Sequence, residues 1–338
     1  MIQKDQETGL HIRAEEKTYG PPFLNVGVTI NGTDVNNVGF GMAGRFTFLN
    51  VGNLRSEWRT DFFFGTDNGI TSEYYRPFSE SSKWFIAPRA YLTRTEFDIY
   101  DERDRIAQYF QLQKGGGVDF GYSLSPRAEI RVGQDVARQS TYLKLGQPII
   151  DNAAAGVAIS SVRFQYLGQD DAVIPRNGVI NQSMFQWFSS RLNGDAYPSL
   201  QMRTSAFRRV SARGSLFGTA AGGTTFGTHG LDFQSFSLGG PLHLGAYGKN
   251  ELLGNQYFLL QGGYLHELFR VSPLTGSTFY AAALYEIGKV YGNPLVPTLP
   301  NDFSFALIGK TAIGPVFIGG SVGDSDHRKW WFGVGRIF

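Results

Sequence analysis

The chain closes on KWWFGVGRIF, residues 329–338, and so crowds large aromatics into a terminus that in most chains frays into water. With the period of two that a strand imposes, Trp330, Phe332, Val334, Arg336 and Phe338 share one face. Lys329, Trp331, Gly333, Gly335 and Ile337 share the other. One face is large and apolar; the other is partly glycine. Such a strand turns its greasy side toward something dry. Ten residues alone leave two dry places open: the core of a soluble sandwich, or the lipid around a membrane barrel.

Composition separates them. Of 338 residues, 43 are Gly, 28 Phe and 16 Tyr, a mixture that suits twisted β-structure better than long helices. Charged residues make up 18%, below the roughly one quarter of an ordinary soluble chain. The net charge of +2 gives no reason to expect nucleic acid as a partner. With no cysteine there is neither disulfide framework nor thiol chemistry. No run approaches the roughly 18 apolar residues of a spanning helix, and no signal peptide follows Met1. An exported protein would therefore be present in mature or trimmed form.

The first residues stand apart. GLHIRAEEKTYG alternates Leu10, Ile12 and Ala14 against His11, Arg13 and Glu15, which predicts one charged, solvent-facing strand ahead of Pro21-Pro22. Beyond it the chain is a succession of alternating runs of about ten residues broken by turn clusters. FLNVGVTING, VGFGMAGRFTFLN, SEWRTDFFFG, VAISSVRFQYLG, GLDFQSFSL and TFYAAALYEIGKVYG are examples. GQPIIDNAAAGVA, residues 146–158, reads as one long loop.

Aromatics sit near the ends of many runs, as at Trp84-Phe85 and Trp330-Trp331, and charges fall in mid-strand at Arg59, Asp61, Arg131, Arg163, Arg203, Glu267, Glu286 and Lys310. Unpaired in a dry sandwich core, those charges would be costly. In a transmembrane barrel alternate residues face a polar lumen, and aromatic girdles flank the apolar band. A propeller would show a blade repeat of about 40 residues, and none is visible. At about 20 residues per strand and connection, the chain after Pro22 holds about 16 strands, an even number. The fold expected is all-β: a transmembrane antiparallel β-barrel over residues 20–338.

The ending GVGRIF resembles that of the bacterial surface antigen barrels, the superfamily of barrel assembly and two-partner secretion. There an aromatic terminus follows a Gly-basic pair, places held here by Gly335 and Arg336. The resemblance implies a C-terminal sorting signal in Phe332, Gly335, Arg336 and Phe338, read by the outer-membrane barrel-assembly machinery. FSLGGPLHLGAYGKNELLGNQYFLLQGGYLHEL, residues 236–268, resembles the superfamily's long sixth extracellular loop and the next strand. That implies a loop folded into the lumen with Leu244, Gly245, Ala246 and Tyr247 at its tip. The family's tip arginine is missing. YEIGKVY, residues 285–291, resembles its acidic-x-Gly strand motif, which implies a lumen-facing Glu286 followed by Gly288. Without the arginine, the expected partner of Glu286 is a lumen-facing Arg or Lys of a neighbouring strand, with Lys310 a candidate.

EEKTYGP before the barrel, SEWRTDFFFG with SEYYRPF, and the arginine-free tip resemble the barrels of bacterial patatin-like phospholipases of type Vd secretion. That resemblance implies a residual last strand of a POTRA domain in residues 1–19, and an N-terminal patatin-like lipase passenger carried elsewhere. Chemistry of the chain's own is not expected. Gly319-Gly320-Ser321-Val322-Gly323 matches the nucleophile elbow, but that motif needs a helix after the serine and a strand follows. His266 and Glu267 are strand neighbours and point to opposite faces. No catalytic, cofactor or metal residues are assigned. The function expected is an outer-membrane translocator that exports or anchors its passenger; the alternative is a passive channel or porin. Lipid, the assembly machinery and the passenger are the expected partners, and a homo-oligomer is compatible with all of this.

Overall fold

The computed structural model describes all residues except 1, 5, 6, 10–21, 35, 36, 53, 102, 103, 150, 191–195, 229–235, 272–276, 293–298, 312, 313, 325 and 335–338. It gives backbone alone at 2–4, 7–9, 29–34, 37–40, 100, 101, 104 and 190. Two short strands, β1 (Ile2–Lys4) and β2 (Glu7–Gly9), pair as a separate hairpin. The charged strand expected at residues 9–20 lies, beyond Gly9, outside the described residues.

The wall follows as β3 (Phe23–Asp34), β4 (Asn37–Leu49), β5 (Glu57–Gly65), β6 (Asn68–Pro77), β7 (Trp84–Asp101) and β8 (Asp104–Ser125). It continues through β9 (Ala128–Gly146), β10 (Ala153–Leu167), β11 (Gly178–Ser190), β12 (Ala196–Arg209) and β13 (Gly214–Thr224). A short hairpin of β14 (Phe236–Leu238) and β15 (Leu252–Gly254) lies off the wall. The last wall strands are β16 (Gln256–Arg270), β17 (Thr278–Tyr291), β18 (Asn301–Thr311), β19 (Gly314–Gly323) and β20 (Arg328–Val334).

Each wall strand pairs antiparallel with its sequence neighbour, and β20 pairs with β3 to close a barrel of 16 strands. Every wall strand thus has a neighbour on both sides, the condition for a sheet to sit in lipid. The closing pair is short, with Phe332 opposite Gly32, Gly333 opposite Asn31 and Val334 opposite Ile30. One end of the barrel carries the longest connection, 225–255, together with 147–152 and 292–300, and is called the loop end; the other is the turn end.

Alternation sorts the residues as the sequence predicts. Trp58, Phe64, Val132, Val136, Phe305 and Trp330 are exposed on the outer face. Inside, most of the mid-strand charges are paired. Arg45 makes a two-pronged bond to Asp61 at 2.5 and 2.8 Å, and Arg59 reaches Glu73 at 2.5 Å. Arg131 lies 2.8 Å from Glu129 and 3.2 Å from Glu73. Asp119, fully buried, accepts from Arg89 at 2.6 Å and from Arg163. A charge that would be expensive alone is thus matched across strands.

Two expectations need correction. The stretch 146–158 is not one loop: β10 begins at Ala153, so the connection is 147–152. Alanine and glycine mask the first residues of the strand, because their alternation carries little contrast in hydropathy. GLDFQSFSL is not a wall strand; of it only Phe236–Leu238 is described as strand, paired within the loop. The wall position belongs to GSLFGTAAGGT, whose small residues leave room for what enters the lumen beside them.

A closed sheet of this kind resists detergent until it is heated. The refolded chain is expected to migrate faster unboiled than boiled in gel electrophoresis, and identical mobilities would contradict barrel closure.

Candidate functional site

The connection from β13 to β16 turns back into the barrel. Gly239 (φ +121°) and Gly240 (φ +101°) make the reversal, in a backbone region that glycine enters without strain. Leu242 and Leu244 also hold positive φ, 60° and 70°. Non-glycine residues rarely sit there unless surrounding contacts fix them. The contacts are three successive amides. Leu244 N–H and Gly245 N–H donate to the two oxygens of Glu286, each at 3.2 Å, and Ala246 N–H donates to Asp302 at 2.7 Å. Gln261 completes the cradle, donating from its amide to Glu286 at 2.5 Å and to the Leu242 carbonyl at 2.7 Å.

The carboxylates are directly opposite on β17 and β18, and both are buried, Glu286 at 0% and Asp302 at 1% exposure. Consecutive backbone N–H groups curled toward one point form a concavity that receives an anion. Here the carboxyl oxygens come from the wall and the concavity from the loop. This replaces the expected pairing of Glu286 with an Arg or Lys: the partners are backbone, and Lys310 pairs instead with Asp171.

Around the cradle the fit is close. A Cβ at Gly245 would lie 2.5 Å from Ser321 Oγ and 3.2 Å from Ser304 Oγ. Those hydroxyls bond each other at 2.6 Å, and Trp331 donates to Ser321 at 2.9 Å. Ser321 therefore lies on a strand inside this packing, and no helix follows it among the described residues. A Cβ at Gly288 would come within 3.2 Å of Leu238 and Leu259, so that glycine makes room for the loop's stem. Leu238, Leu244, Ala246, Tyr247, Leu252 and Leu259 form a buried apolar cluster. Tyr247 stacks on His327 with ring centroids 4.1 Å apart and donates its hydroxyl to Asp324. His327 in turn faces Glu251 at 3.1 Å.

On the far side of the loop Arg203 donates to His243 at 2.8 Å. Burial first, and the guanidinium second, push the His243 imidazole down to about 4, so it stays neutral and accepts. Gly245→Val is expected to unseat the tip, measured as faster protease cleavage within 239–251. An unchanged digestion rate would remove Gly245 from the latch.

A second segment enters from the turn end, and sequence reasoning passed over it. The connection from β10 to β11, residues 168–177, reaches across to β13, β16 and β18. Arg176 donates to Glu267 at 2.8 Å, to Ser215 Oγ at 3.1 Å and to the Ala212 carbonyl at 3.0 Å. Asp171 caps the amides of Val173 and Ile174 at 2.8 and 3.0 Å while pairing with Lys310. Ile174 is buried with Leu265, Tyr280 and Ile308. Between this turn and the loop tip, Leu242, Leu284, Ile308, Phe317 and Trp331 line an apolar cavity of about 110 Å³. The barrel is filled from both ends on the β13–β20 side.

Phe332 lies on β20 and stacks on Trp330 with centroids 5.8 Å apart. Gly335, Arg336 and Phe338 lie outside the described residues. His266 faces Tyr264, away from Glu267, which is held by Arg176 and Arg270. Among the described residues no group of three or more His, Cys, Asp or Glu could hold a metal ion.

No family model matches the sequence. No curated protein matches it either. Solved structures share its fold. BamA from Haemophilus ducreyi lacking POTRA domains 1-3 superposes with a TM-score of 0.74 at 12% identity, over 94% of this chain and 71% of that one. CdiB from Acinetobacter baumannii gives 0.63 at 11%, over 92% of this chain, and CdiB from Escherichia coli 0.63 at 13%, over 94%. The chain spans 59% and 64% of those two CdiB chains. At such identities the likeness is one of fold.

Proposed function

We propose that the chain is a bacterial outer-membrane translocator barrel, with its loop end outside, that exports or anchors an N-terminal passenger of the patatin-like lipase class. The carrying observation is the loop tip latched inside the lumen by Glu286 and Asp302. A latch gives the barrel a closed state and one contact set whose release opens it. The fold shared with BamA and CdiB supports this reading, as do the motifs around Tyr247 and Glu286. The barrel contributes passage and anchorage, and no catalysis of its own.

The test fuses a protease-sensitive reporter ahead of residue 1 and expresses the fusion, with an export signal, in a bacterium with an outer membrane. Cell-surface protease should remove the reporter from intact cells. A reporter that stays protected while small solutes enter faster would favour the passive channel.

A further inference from the structure

Lys114 on β8 and Arg138 on β9 stand directly opposite each other on the outer face, both exposed. One rung nearer the loop end, on β7, is Arg94, whose guanidinium lies 4.5 Å above the Phe110 ring. Like charges directly opposite in a sheet repel. Among the described residues no carboxylate pairs with any of the three. The nearby acids are engaged: Glu96 with Lys144 at 2.6 Å, and Asp98 with Gln108 at 2.9 Å and Arg105 at 3.6 Å. Arg94 Nε is buried with no partner.

Height explains the placement. At the turn end the outer face starts with Trp84 against Tyr122, ring centroids 4.6 Å apart. From Tyr122 to Lys114 a tilted strand climbs about 20 Å, close to the height of the apolar band, about 25 Å. On β9 the outward column runs Ile130, Val132, Gln134, Val136 and then Arg138. On β9 the outward apolar column ends at Arg138, while on β8 Leu112 and the Phe110 ring lie beyond Lys114 toward the loop end. A single cation there would reach water by extending its side chain; three without an acid gather positive charge at one spot. Below them Val118, Phe120, Val132, Val162 and Phe185 line an open groove of about 500 Å³ on the outer wall.

We propose that Lys114, Arg138 and Arg94 bind the phosphate of a phosphorylated lipid in the outer leaflet, with an acyl chain of that lipid in the groove below. Arginine matches phosphate oxygens in pairs and lysine supplies a point charge. The groove favours a lipid over a soluble anion, since a free phosphate has nothing to place there. The sidedness rests on the translocator reading; binding measured in detergent does not, so the two can fail separately.

The test is native mass spectrometry of the refolded chain in detergent with bisphosphorylated lipid A, against the same lipid after phosphatase treatment. The wild-type chain should retain the phosphorylated form at least tenfold better. Lys114→Gln with Arg138→Gln should erase that preference, and Arg94→Gln should weaken it. Lys289→Gln, at a cation over the Tyr291 ring elsewhere on the wall, should leave it intact. Equal retention of both lipids, an equal loss with Lys289→Gln, or displacement by millimolar inorganic phosphate would overturn the proposal. Heat-shifted gel mobility verifies that each variant is folded.

Discussion

Glu286→Ala is expected to raise the single-channel conductance of the refolded chain several-fold in planar bilayers while leaving its gel mobility heat-sensitive. Glu286 accepts from Leu244 N–H, Gly245 N–H and the Gln261 amide, and no water reaches it. Removing the carboxylate strands those donors in a dry place, at about 1–3 kcal/mol for each one left unpaired. That loss falls only on the seated loop, because a loop swung into solvent finds water for its amides. The equilibrium therefore shifts toward the unseated state without weakening the wall. Asp302→Ala should act in the same direction but less, since it frees a single amide, that of Ala246. Glu286→Gln keeps one acceptor oxygen and should fall between wild type and alanine. A conductance unchanged by Glu286→Ala would mean that the loop does not obstruct the pore.

The second large effect concerns the opposite mouth. Arg176→Ala is expected to release residues 168–177 from the lumen and to lower the thermal unfolding midpoint. The guanidinium is buried and fully engaged by Glu267, Ser215 and the Ala212 carbonyl. Breaking a buried ion pair by deleting one partner costs about 3–5 kcal/mol. Here the lower figure applies, because Arg270 still faces Glu267 at 2.8 Å. A cysteine at position 174, normally buried against Leu265 and Ile308, should become reactive to a water-soluble thiol reagent in the Arg176→Ala background. Equal labelling in both backgrounds would show that Arg176 does not hold the turn. Combined with Glu286→Ala, the variant should conduct more than either alone, since the two segments enter from different ends.

The architecture was legible because lipid outside and water inside impose a two-residue period on nearly every strand. Runs such as SEWRTDFFFG carry it in full contrast, with Trp58 and Phe64 out and Arg59 and Asp61 in. The period faded where lumen-facing residues are small. GSLFGTAAGGT and the AAAGVA that opens β10 show little of it for that reason, though both belong to the wall. At the site, the loop and Glu286 could be found because they stand in recognisable motifs. Asp302 could not, since only the β17–β18 register puts it opposite Glu286. The turn DDAVIPRNG gave no signal either. Its residues look like those of any exposed turn, and their burial comes from strands 40 to 140 positions away.

Because the latch grips main chain, its record in sequence is lopsided. Every L-amino acid except proline offers an amide at positions 244 and 246, so no particular functional group is demanded there, only an apolar side chain of fitting size. The demand for chemical identity falls on the receiving wall, at Glu286, Asp302 and Gln261, and on the bare backbone of Gly245. In a saturation library screened for antibiotic leakage, positions 244 and 246 should therefore accept other apolar residues, within the limit that the positive φ at 244 sets, while the wall and Gly245 read as strict. A search for divergent relatives by their loop tip would miss members that share this device; a search by paired acids on adjacent strands would find them.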